Sequence, residues 1–69
     1  MTGVELVRLQ NLRPDEREGV LHDLRSTRDC ALADGWQEWE LDEIISARAR
    51  ALGVLLTPDQ KRSAARGLW

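Results

Sequence analysis

The sequence predicts an all-α fold, a small bundle of three to four helices joined by short turns. Three observations predict it. Apolar residues recur at helical spacing from Val20 to Ala31 and again from Leu41 to Leu52. Helix-start signals stand at Pro14 and at Thr57-Pro58. Helix-stop glycines stand at Gly35 and Gly53. The 69 residues contain no internal repeat, low-complexity tract or linker, so residues 1–69 are expected to form a single helical domain.

The N-terminal segment reads two ways, as helix or as short strand. Thr2-Gly3-Val4-Glu5 has the form of a capping box, which favours a helix over 3–11 with Leu6, Leu9 and Leu12 on one arc. Val4 and Val7 fall off that arc, and residues 4–9 also suit a β-branched strand. No second strand offers itself as a partner, so helix is preferred.

Asn11-Leu12-Arg13 reads as a turn. Pro14 fits the first position of a helix, where its missing N–H costs nothing. Asp15, Glu16 and Glu18 complement the N-terminal dipole. Val20, Leu21, Leu24, Thr27 and Ala31 form the apolar face of a helix over 14–33, with Cys30 expected as a small buried residue at its margin. His22 falls on the polar face. Asp34-Gly35 ends the helix.

A second helix is expected from Gln37 to Leu52. Leu41, Ile44, Ile45, Arg48 and Leu52 share one arc, with Ala49 and Ala51 at its margins. Arg48 lies near the middle of that arc. A buried charge needs a partner, so Arg48 either snorkels out, pairs with an acid from the 14–33 helix, or reaches across an oligomer interface. Val54-Leu55-Leu56 is an apolar link that plugs the core. Thr57, Pro58 and Gln60 then form the clearest capping box in the chain. It starts a short helix over 58–66 with Ala64, Ala65 and Leu68 as its apolar side.

Composition restricts the function classes. A chain of this length buries about 60% of the surface its unfolded form exposes, and small scaffolds gain from a disulfide, a metal or a partner. One Cys and one His provide neither an internal disulfide nor four zinc ligands. Association is the remaining route, and a homodimer or a chain carried on a larger partner is expected. The lone Cys, the absence of a secretory start and the lack of a long apolar run point to the cytoplasm, with no membrane span.

Net charge is −2, but residues 1–47 carry −6 and residues 48–69 carry +4. Either the fold brings these halves together as ion pairs, or the molecule remains dipolar.

Two stretches carry binding chemistry. The first holds Asp34, Trp36, Glu38, Trp39, Glu40, Asp42 and Glu43. Tryptophan is enriched at binding hot spots, and surrounding acids steer a basic partner surface. The competing reading places both indoles in the core, because the chain has no Phe or Tyr. The second stretch is 49–66. Ala49-Arg50-Ala51-Leu52-Gly53-Val54 resembles the first half of a helix-turn-helix, which implies duplex binding through Arg50, Lys61, Arg62 and Arg66. The resemblance then lapses, because Asp59 and Arg62 stand where the second helix needs apolar residues.

An EF-hand loop with Gly35 at its sixth position would place Cys30, Leu32 and Leu41 at ligand positions, so no calcium site is expected. No nucleophile constellation or phosphate-cradling loop is present, and neither catalysis nor a cofactor is expected. The leading expectation is a non-catalytic protein-binding module: an inhibitor, adaptor or regulatory subunit acting on a larger protein with a basic surface. In size and charge alone it resembles small acidic helical inhibitors encoded by phage and other mobile elements, an analogy and not a family match. A small DNA-binding regulator using residues 49–66 is the alternative, with nucleic acid the less favoured partner.

Overall fold

A computed structural model describes residues 5–68. The element order is β1 (Val7–Arg8), a 3-10 turn (Leu9–Asn11), α1 (Pro14–Ala33), a second 3-10 turn (Glu38–Glu40), α2 (Leu41–Ala51), β2 (Val54–Leu55) and α3 (Pro58–Ala65). The fold is mostly helical. Its departure from an all-α plan is a two-stranded parallel ladder, with Val7 opposite Val54 and Arg8 opposite Leu55.

That ladder corrects the reading of the N-terminal segment. Over the described part of 3–11 there is a short strand and a single 3-10 turn, not an α-helix. The proposed Thr2 cap lies outside the described residues. The strand partner is the apolar link after α2. Gly53, at φ 80°, turns the chain out of the helix. The link then runs extended, with Val54 and Leu56 buried. The Val7 N–H donates to the Gly53 carbonyl at 2.9 Å, and Leu9 follows into the core.

α1 has the bounds its sequence signals predict. Pro14 takes the first position, and the Arg13 N–H donates to Glu16 Oε1 at 3.2 Å. Leu24 and Ala31 are buried, and Val20 and Leu21 pack against the core from its edge. Cys30 is exposed rather than buried. It precedes Ala31 by one residue, so it lies about 100° around the helix from a narrow stripe.

The helix expected from Gln37 begins instead as the 3-10 turn Glu38–Glu40 and becomes α-helical at Leu41. The Gln37 N–H donates to Glu40 Oε2 at 2.9 Å, which satisfies one orphan donor of that turn. The buried stripe of α2 is Leu41, Ile45 and Ala49, with Ile44 and Leu52 half-buried beside it. Arg48 lies off that stripe, exposed, and pairs with Asp23 of α1.

α3 begins as expected. Thr57 Oγ1 accepts from the Gln60 N–H at 3.1 Å, and Gln60 Oε1 accepts from the Thr57 N–H at 2.9 Å. Ala64 and Ala65 face inward. Leu68 does not, and is 70% exposed.

The buried apolar residues form two clusters. The larger joins Leu9, Leu24, Ile45, Ala49, Val54, Leu56 and Ala64. The smaller joins Ala31, Leu41 and Ala65, with Ile44 packed against them. Fully burying one Leu or Ile contributes about 1.5–3 kcal/mol, so Leu24, Leu41 and Ile45 carry much of the driving force. No helix among the described residues is long and apolar enough to cross a membrane.

Candidate functional site

The smaller cluster assembles the candidate surface. Ala31 comes from the end of α1, Leu41 from the start of α2 and Ala65 from the end of α3, so three element termini meet at one place. Two of the termini close by the same device. After α1, the Gly35 N–H donates to the Leu32 carbonyl at 3.1 Å and the Trp36 N–H to the Ala31 carbonyl at 3.0 Å. After α3, the Gly67 N–H donates to the Ala64 carbonyl at 3.1 Å and the Leu68 N–H to the Ser63 carbonyl at 2.9 Å. Both are Schellman closures around a left-handed glycine. They hold Trp36 and Leu68 in equivalent positions just past a helix end.

Trp39 sits in the 3-10 turn that leads into α2. With Leu41 committed to the core, a turn of about 120° per residue carries Trp39 away from it. The outcome is that Trp36 is 47% and Trp39 79% exposed. The reading that placed both indoles in the core is therefore overturned. The core is filled by Leu, Ile, Val and Ala, and contains no aromatic side chain among the described residues.

The acids surround these indoles unevenly. Asp34, Glu38, Asp42 and Glu43 are exposed, while Glu40 is half-buried and occupied in capping Gln37. Glu38, Trp39 and Asp42 line one cleft, whose other wall is Arg62, Ala65 and Arg66. Asp42 and Glu43 line a second, with Ser46, Ala47, Arg50 and Lys61 opposite. Asp34 and Trp36 stand outside both clefts.

The sequence separates these acids from the bases of 50–66 into two independent surfaces; the fold sets them face to face. The charge gradient along the chain is thus folded back on itself. Among the described residues it does not close into ion pairs there: Arg62 pairs instead with Asp59 on its own helix, at 2.9 Å. Sequence reasoning assigned Arg62 and Arg66 to a separate basic stretch and Leu68 to the apolar side of α3, and the fold brings all three to this surface. The parallel between Gly35-Trp36 and Gly67-Leu68 is the signal that marks Leu68.

The segment that resembles a helix-turn-helix is arranged differently from that motif. Residues 52–57, including β2, separate α2 from α3. α3 docks through Ala64 and Ala65 near its end. His22 is exposed on α1. Among the described residues, no three His, Cys, Asp or Glu side chains converge as a metal set. No protein-family model matches the chain, and comparisons with curated proteins and with solved structures gave no match.

Proposed function

We propose that the chain is a non-catalytic protein-binding module. It docks through Trp36 and Trp39, rimmed by Asp34, Glu38, Glu40, Asp42 and Glu43, onto a larger protein with a basic surface. It acts there as an inhibitor, adaptor or small regulatory subunit. The observation that carries this reading is the 79% exposure of Trp39, in a fold whose core holds no aromatic side chain among the described residues. An indole left in water contributes little to packing. Buried at an interface it supplies a large apolar area, and hot-spot residues of this kind each contribute about 2 kcal/mol or more. The surrounding carboxylates steer a basic partner into place, raising the rate of encounter more than the affinity.

The test compares three immobilised forms in an extract of the source cells. They are the wild type, a Trp36→Ala/Trp39→Ala variant, and a variant neutralised by Glu38→Gln, Glu40→Gln, Asp42→Asn and Glu43→Gln. A protein retained by the wild type should be lost from the tryptophan variant. It should associate more slowly with the neutralised one, most of all at low salt. Retention of the same proteins on all three forms would sink the reading.

Duplex binding through Arg50, Lys61, Arg62 and Arg66 has less support, because carboxylates share the clefts of all four. Salt-dependent duplex binding that is lost on neutralising Lys61, Arg62 and Arg66 would favour it instead.

A further inference from the structure

The surface around Trp39 carries a feature that a basic partner would not use. Glu38 and Asp42 form one wall of the Trp39 cleft, and Arg62 and Arg66 form the other. The same two arginines line the neighbouring hollow that ends at Leu68, together with Asp59, which pairs with Arg62 at 2.9 Å on the exposed face of α3. Glu38 and Asp42 therefore form an acid strip beside the exposed Trp39, and Arg62 and Arg66 form a strip beside the exposed Leu68 that stays net basic with Asp59 in it. A purely basic surface would satisfy the acid strip and be repelled by the arginine strip.

A two-fold rotation suits both. Turned onto itself, the patch lays the acid strip of one copy on the basic strip of the other, and Trp39 meets the opposite cleft beside Ala65 and the second Trp39. This is the isologous geometry of a symmetric dimer. The chain also has reason to associate. Among the described residues the largest fully buried side chains are Leu24, Leu41, Ile45 and Val54, a small core for a chain already marginal in length.

We infer that a second copy of this chain docks on the Trp39 face. Glu38 and Asp42 of each copy meet Arg62 and Arg66 of the other, around the two Trp39 side chains. The inference goes beyond heterotypic docking and implies that the two modes compete, since Trp39 serves both.

Sedimentation equilibrium over a concentration series tests it, using the wild type, Glu38→Arg/Asp42→Arg and Arg62→Glu/Arg66→Glu. The wild type should dimerise, less tightly as salt is added. Each charge variant alone should show a dissociation constant raised tenfold or more. An equal mixture of the two should restore a dimer, because both contacts are then complementary again. Trp39→Ala in both members of that mixture should abolish it. A wild type that stays monomeric throughout would overturn the inference, whatever the variants do. So would charge variants that dimerise as well as the wild type, with helix content checked by circular dichroism.

The two readings fail separately. Arg62→Glu/Arg66→Glu keeps the acid rim and both indoles, so it should lose self-association while still retaining a basic partner. A monomeric wild type that still captures such a partner defeats the dimer alone. A dimer that captures nothing defeats heterotypic docking alone.

Discussion

Arg48 of α2 grips Asp23 of α1 with two parallel hydrogen bonds, Nε to Oδ1 at 2.7 Å and Nη2 to Oδ2 at 2.9 Å. The bidentate geometry ties the two longest helices together across 25 residues of sequence. It also resolves the question raised by an arginine on an apolar arc. Arg48 leaves the buried stripe to Ala49 and turns to an acid on α1.

The pair makes stability depend on pH. Hydrogen bonding to Arg48 is the main cause that holds the Asp23 carboxyl below the usual carboxylate range. Partial burial works against it, while the Arg48 charge and the Thr27 hydroxyl add to the lowering. A carboxylate with a depressed folded pKa contributes stability above its unfolded value, about 3.9, and loses that contribution as pH falls through the folded value. Asp23→Asn should therefore destabilise the protein modestly at pH 7, because the pair is partly solvated. The gap from wild type should close as pH falls below about 4. Denaturant midpoints of both proteins at the two pH values check this. A gap that stays constant would mean that Asp23 acts through packing rather than charge.

Gly19 lies inside α1, exposed, and a Cβ built there meets nothing within 4 Å. Its cost is therefore that of a flexible residue held in a helix. Gly19→Ala should stabilise the protein by about 0.5–1 kcal/mol. Urea unfolding should show a higher midpoint with an unchanged slope. A loss of stability would mean that the residue has a contact the fold does not account for.

Gly67 is the opposite case. Its φ is 71°, and a Cβ there would lie 3.1 Å from Cζ of Arg28. Arg28 is not free to retreat cheaply, since its Nε donates to the Ala65 carbonyl at 2.8 Å and so ties α1 to α3. Gly35 shares the left-handed backbone but has open space around it. Gly67→Ala should cost about 1–3 kcal/mol, and more than Gly35→Ala, with thermal unfolding as the readout. Equal losses would show that backbone strain alone matters and that the Arg28 contact is slack.

Much of the fold was legible where a local signal and a long-range demand agree. Pro14 and Gly35 bracket α1, the Thr57–Gln60 box starts α3, and Gly53 ends α2, because capping chemistry is settled within four residues of sequence. The β1–β2 ladder was not legible. Two-residue parallel strands have no periodicity, and their pairing depends on where Gly53 delivers Val54. The candidate surface was half legible. The acids and indoles of 34–43 could be named from their types alone. Their relation to Arg62, Arg66 and Leu68 is tertiary, created when Leu41 and Ala65 pack together. The direction of the indoles was the harder question. With no Phe or Tyr in the chain, a count of large side chains argues for burial, and only the 3-10 start of the second helical segment reverses that.

The proposed docking requires that Trp36 and Trp39 serve binding and not folding. Equilibrium unfolding of Trp36→Ala/Trp39→Ala beside Leu41→Ala, at a concentration where every form is monomeric, tests it most directly. The double tryptophan variant should fall within about 1 kcal/mol of wild type, as surface substitutions do, while Leu41→Ala should lose about 2–5 kcal/mol. A loss from the tryptophan variant as large as that from Leu41→Ala would contradict the claim and return both indoles to the core.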